Sequence, residues 1–190
     1  ETAMGFPLSL MLSGAVALPA WAWLLPLLIV LLVYPMNAWR DAPLFPTPAE
    51  ALRGLSAHVP LAPGAKVLDA GCGLGHGLRA LHGVYPEAEL HGTEWSWPLR
   101  IAAGWLCPWA RIRQGDMWRD DWGSYDMVYL FQRPETMPRA VEKARAEMKA
   151  GAWLVSLEFV AEALQPEAML DNVEGKPVWI YRVPFRGTRS

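Results

Sequence analysis

Cysteine is scarce in this chain of 190 residues: Cys72 and Cys107 are the only two. Two cysteines cannot build a disulfide framework, and Cys72 lies inside a glycine turn, so a reducing compartment is the simpler reading. The four histidines are scattered, with no HExxH and no CxxC, so no metal site is expected. No serine sits in a GxSxG pattern, which argues against an α/β-hydrolase. Basic excess is also missing. The net charge is −2, and nucleic acid is not an expected partner. Charge itself is absent from one long stretch, because nothing between Glu1 and Arg40 is ionised.

That uncharged stretch is largely apolar through Phe6–Leu12, Trp21, Trp23 and the run Leu24–Tyr34. A membrane-spanning helix needs about 20 apolar residues. A single span within residues 8–34 is therefore expected, with Pro19 or Pro26 able to kink it. Two short re-entrant pieces are the alternative, and a cleaved signal peptide is disfavoured by the missing basic n-region. Arg40 and Arg53 follow the span and no basic residue precedes it, which places the rest of the chain on the cytoplasmic side. The eleven tryptophans suit a protein with a water–lipid boundary. The expected organisation is a membrane anchor over 1–38, a linker and capping helix over 39–63, and a globular domain over 64–190. In the linker, Thr47, Pro48 and Glu50 stand as N-cap, N1 and N3 of a helix whose apolar face is Ala51, Leu52, Leu55 and Val59.

From Ala65 onward strand-like and helix-like segments alternate, the mark of a parallel α/β sheet. Strands are expected at 66–70, 89–93, 111–114, 126–131, 152–159 and 177–183. Helices are expected at 75–85, 98–106 and 136–149, with Gly151 ending the last. Residues 160–175 read as a helix and a short strand. Asp120-Asp121 reads as a solvated loop, and His76 as a tolerated loop residue.

The chemistry centres on Asp69-Ala70-Gly71-Cys72-Gly73-Leu74-Gly75-His76. A dinucleotide fingerprint is GxGxxG, but here the third glycine comes one position early. Asp69 would repel a diphosphate and can receive an ammonium group. Glu94 ends the second strand, where a carboxylate can accept both hydroxyls of a ribose. Asp116, after the third strand, can accept from an adenine amino group, with Met117 against the ring. Phe131 and Trp95 flank an adenosine or join the core. Thr47 reads first as a helix cap and second as a ligand contact.

These residues together resemble the class I S-adenosylmethionine-dependent methyltransferases. Val67–Gly75 matches their first motif, Glu94 stands at the ribose acid, Gly115-Asp116-Met117 at the adenine acid, and Tyr125–Leu130 at the fourth strand. A narrower resemblance is to the small membrane-anchored protein-lysine methyltransferases, whose mitochondrial members modify the adenine nucleotide translocase and the ATP synthase c-subunit. It rests on the apolar span, Phe45-Pro46-Thr47, Leu130–Glu135, Val155–Phe159 and Val178–Arg182. The chain departs from that pattern at Ser96, where an Asn is expected.

The resemblance implies a Rossmann-like α/β sheet with flanking helices, preceded by a transmembrane helix. It implies S-adenosyl-L-methionine as cofactor, held by Thr47, Asp69, Gly71, Gly73, Gly75, Glu94, Trp95, Asp116, Met117 and Phe131. Gln132 and Glu135 are the candidates for holding or orienting a substrate amine. The implied activity is N-methylation of a lysine on a membrane protein, by a single-pass protein of a bacterial inner membrane or an organelle membrane. Methylation of phosphatidylethanolamine is the alternative. A non-catalytic, cofactor-binding membrane scaffold is the alternative of another class.

Overall fold

The computed structural model describes residues 24–33 and 46–187, and contacts divide the chain into units 1–34 and 35–190. In the first unit, α1 (Leu24–Val33) is made of apolar residues alone, and Leu24, Leu25, Leu27, Leu28 and Ile29 are exposed. Ten residues rise about 15 Å, half the thickness of a bilayer core. No helix among the described residues is long and apolar enough to cross a membrane. Most of the span expected at 8–34 lies outside the described residues.

The second unit is a seven-stranded sheet in the order β3-β2-β1-β4-β5-β7-β6. The strands are β1 (Lys66–Ala70), β2 (Glu89–Glu94), β3 (Arg111–Gln114), β4 (Met127–Leu130), β5 (Trp153–Leu157), β6 (Ala168–Leu170) and β7 (Val178–Arg182). The first five are parallel, and β7 runs antiparallel between β5 and β6. Every residue of β4 and β5 is buried, as expected of parallel strands covered on both faces. Alternation then sorts the side chains. Val67, Met127 and Tyr129 join Leu78 and Leu81 in one core; Leu68, Val128 and Leu130 join Met137, Ala140 and Ala144 in the other.

The helices are α2 (Leu55–His58), α3 (His76–Val84), α4 (Trp97–Leu106) and α5 (Met137–Glu147). Helix α5 buries Met137, Ala140, Val141 and Ala144, a stripe at helical spacing. It stops at Glu147, and Gly151, with φ 86°, turns the chain into β5.

Three expectations are corrected. The helix expected from Thr47 is a run of turns, with Ala51, Arg53 and Leu55 donating to carbonyls three residues back, before the single turn of α2. Glu50 pairs with Arg53 rather than reaching back to Thr47. Residues 160–175 form β6 but no α-helix. Asp120 is not solvated. It is 6 % exposed, accepts a hydrogen bond from the Thr93 hydroxyl, and pairs with Arg113 at 2.5 Å. The crossover from β3 to β4 has only two short 3-10 turns, and Trp122, which opens the second, is fully buried.

Asp120 therefore ties that crossover to β2. Replacing it (Asp120→Ala) leaves the Thr93 hydroxyl without its acceptor and Arg113 without its anion, at an expected cost of about 2–4 kcal/mol. Urea denaturation measures this. An unchanged midpoint would mean that the buried pair contributes nothing.

Candidate active site

The parallel strands end together, and β1 has β2 on one side and β4 on the other. Successive crossovers part at this switch point, so the crevice beyond the strand ends opens here. The turn after β1 occupies it. Gly71, Gly73 and Gly75 have φ of 87°, 53° and 76°, a left-handed conformation that explains glycine at alternate positions. The Gly71 and Cys72 N–H groups both donate to the Thr93 carbonyl, so the turn is pinned to the end of β2.

Glu94 completes that pinning. Its carboxylate accepts from the Gly73 N–H at 2.9 Å and from the Ser96 N–H at 2.8 Å. One side chain thus holds the turn after β1 against the turn after β2. Burial raises its pKa, opposed by the N–H groups of Ser96, Gly73 and Trp95.

Asp69 lies beneath the turn, 4 % exposed, on the same face as Tyr129 and Leu78. Its carboxylate accepts from the Leu78 N–H, yet Oδ2 is buried without a hydrogen-bond partner among the described residues. Burial pushes its pKa up to about 7, and the nearby Glu94 charge adds to the rise. Such an orphaned carboxylate oxygen costs stability and calls for an explanation.

A glycine singled out by no motif makes this packing possible. A Cβ on Gly77 would stand 2.4 Å from Asp69 Oδ2 and 2.8 Å from Tyr129 Cε1. Helix α3 can approach the acid only because that Cβ is missing. Tyr129 was also not anticipated. Its hydroxyl hydrogen-bonds the Thr47 hydroxyl at 2.9 Å, so Thr47 anchors the chain entering the domain to β4 instead of capping a helix. The local sequence around Thr47 carries a capping signal, and nothing in it announces a partner 82 residues away.

Gln132, Met117 and Gly71 form a second group. Gln132 Nε2 donates to Met117 Sδ at 3.3 Å, and Gln132 Oε1 is buried without a partner among the described residues. A Cβ on Gly71 would meet Gln132 Nε2 at 3.2 Å and Met117 Sδ at 3.5 Å. Asp116, next to Met117 in the chain, caps the 3-10 turn that Met117 opens, accepting from the Trp118 N–H at 3.0 Å.

Phe131 is half-buried, 6.4 Å from Phe159 between ring centroids, with the Lys176 ammonium 5.0 Å from its ring centre. Lys176 pairs with Glu158, the one non-glycine residue in the left-handed region among those described, at φ 69°. Trp95 and Glu135 are exposed. They are not part of the buried group around Asp69, Glu94, Met117 and Gln132.

A sheet of this order with a glycine turn and three acids at its strand ends defines a class I methyltransferase. Comparisons agree. An RNA methyltransferase of Salinibacter ruber, crystallised with S-adenosyl-L-homocysteine, superposes with a TM-score of 0.64 at 21% identity, over 73% of this chain and 94% of that one. A TehB-like SAM-dependent methyltransferase of Corynebacterium glutamicum gives 0.51 at 21% identity, over 82% and 94%. At that identity the likeness is one of fold. No curated protein sequence matches the chain significantly. Residues 69–168 match the family described as "ANTKMT methyltransferase domain", and the chain belongs to it. It is an S-adenosylmethionine-dependent methyltransferase.

The raised Asp69 pKa fixes a pH dependence. Between 3.8 and about 7 the folded chain keeps a proton that the unfolded chain has released. Stability contributed by this site therefore falls as pH rises through that window, by up to about 4 kcal/mol. Urea titrations of wild type and Asp69→Asn across pH 4–8 isolate it. The variant should lose that part of the slope, and parallel curves would place the proton elsewhere.

Proposed function

We propose that this enzyme transfers the methyl of S-adenosylmethionine to a lysine amine of a membrane protein. The cofactor half of this reading is carried by the orphaned Asp69 Oδ2 at the floor of a glycine turn, and the lysine half by the match to the ANTKMT methyltransferase domain.

The residues fit the cofactor. Once ionised, Asp69 can accept from its ammonium group, and the partnerless oxygen is then satisfied. The missing Cβ of Gly71 lets Gln132 and Met117 close on the turn. Gly73 and Gly75 shape the same turn. Glu94 already takes the N–H groups of Gly73, Ser96 and Trp95, and the acceptor capacity left on its carboxylate can take a ribose hydroxyl. Asp116 and Met117 line the adenine side, with Phe131 and Trp95 as flanking rings. Thr47 supports the wall through Tyr129.

When bound, the cofactor supplies an electrophilic methyl on a sulfonium centre. The chain's own contribution is positioning and exclusion of water, which can be worth about 7–11 kcal/mol for a well-oriented pair. Gln132 Oε1 is a buried acceptor without a donor among the described residues, suited to hold a substrate N–H. A glutamine cannot remove the proton, so the amine must reach it neutral. Desolvation favours the neutral amine. Glu135, exposed beyond the β4 exit, is suited to attract the incoming ammonium.

The membrane side of the reading rests on the uncharged N-terminal stretch and on α1, a ten-residue helix of apolar residues alone. In this reading residues 8–34 anchor the chain in a bilayer once, with the catalytic domain on the cytoplasmic side. The substrate amine then lies at the membrane surface.

Incubating native membranes with the purified chain and methyl-labelled S-adenosylmethionine is the test. Label should appear in protein, on lysine after hydrolysis, and Asp69→Asn should weaken cofactor binding roughly 10- to 100-fold. Label confined to extracted lipid would replace lysine with a phosphatidylethanolamine amine. Calorimetric cofactor binding with no label in any fraction would point instead to a scaffold.

A further inference from the structure

Helix α4 is the least covered element of the domain. Of its ten residues only Ala103 is buried. A helix so exposed should be polar on its outer side. This one reads WPLRIAAGWL, with Arg100 its single charge. Trp97, Ile101 and Trp105 recur every fourth residue, which puts them in one stripe. Trp97 is exposed, Trp105 is 83 % exposed, and Leu106 beside it is exposed as well. A Cβ on Gly104 would meet no atom within 4 Å, so the helix is open there too. Just past the helix, Trp109 stacks on His82 with ring centroids 4.1 Å apart, which holds another indole at the surface.

Single exposed apolar residues are ordinary, but a contiguous apolar patch marks an interaction surface. Residue type and chain context narrow the occupant. Tryptophan combines an apolar ring with an N–H that stays hydrated, the combination favoured at the water–lipid boundary. The one charge on the helix is cationic, the sign that anionic headgroups attract. The same chain carries a second apolar surface without a partner among the described residues, the exposed leucines of α1. One solvent, lipid, would cover both. A second protein partner would have to be matched separately to each.

We propose that Trp97, Ile101, Trp105, Leu106 and Trp109 form a bilayer-docking surface that seats α4 in the headgroup region of the membrane. The inference rests on the proposed membrane-bound substrate and extends it. Helix α4 begins three residues after Glu94. Its N-terminal end therefore adjoins the cofactor cradle, and seating the helix brings that cradle to the depth where a substrate amine meets water. The docking surface works beside the N-terminal anchor: the anchor retains the chain, and the α4 face orients the catalytic domain.

The test uses the full chain reconstituted into vesicles of phosphatidylcholine and phosphatidylglycerol. Trp105→Cys provides an exposed labelling site for an environment-sensitive dye, while the native Cys72 and Cys107 are buried. A second label at Glu174→Cys, on the exposed turn before β7, is the reference. Brominated lipid should quench the 105 label several-fold more than the 174 label, and aqueous iodide should do the reverse. The double variant Trp97→Ser/Trp105→Ser should lower the initial rate on native membranes about tenfold while leaving calorimetric cofactor affinity unchanged.

Equal iodide quenching at both labels would overturn the docking surface. So would a 105 label shielded from iodide yet untouched by brominated lipid, which would mean that a second copy or another part of the chain covers it. Methyl transfer by the same vesicles separates the two readings. Lysine labelling with the 105 label in water removes the docking surface and keeps the proposed activity. The 105 label in lipid without any lysine labelling does the opposite.

Discussion

The site depends on burying the carboxylate of Asp69 with one oxygen unsatisfied. Burial and the Glu94 charge make it reluctant to ionise, and only the Leu78 N–H eases it. The surroundings are arranged to tolerate this. Gly77 has no Cβ, so α3 can press close; the turn above bends left-handed at three glycines; Glu94 clamps that turn from the neighbouring strand. A structure that stores an unsatisfied acid in this way is destabilised until something donates to it. The same feature that costs stability is the one the proposed ammonium contact would relieve.

The fold was largely legible because it rests on local signals. The apolar run ending in Asp69 and the glycines after it place β1 and its turn, and the alternation of short apolar runs with helical spacing places the parallel sheet. The C-terminal antiparallel edge was legible in part, through Val178–Arg182. What stayed hidden depends on distant partners. Thr47 carries a capping signal, but Tyr129 supplies a better bond, and Pro48 to Leu55 settle into turns. Asp120 looks like half of an acidic loop until Thr93 and Arg113 converge on it from two strands.

The site residues divide in the same way. Asp69, Glu94, Met117 and Gln132 converge at the strand ends, as their positions at the ends of β1 and β2 and just past β3 and β4 imply. Trp95 and Glu135 follow strands too, yet they are exposed, because an element boundary says where a residue is and not which way it faces. Gly77 had a weak signal, a fourth glycine in a turn that needs three. Its role appears only when α3 is seen against Asp69 and Tyr129. In the sequence the tryptophans of α4 are part of a high count, and only their shared stripe on the helix turns that count into a surface.

Proton release on cofactor binding tests the central claim most directly. The full chain is titrated calorimetrically with S-adenosylmethionine at pH 6 in buffers of different ionisation enthalpy. Asp69 is then mostly protonated in the free protein, since its pKa is about 7. If it receives the cofactor's ammonium, roughly one proton leaves for each molecule bound, and the release fades towards pH 8. Binding with no proton released at pH 6 would contradict the role assigned to Asp69.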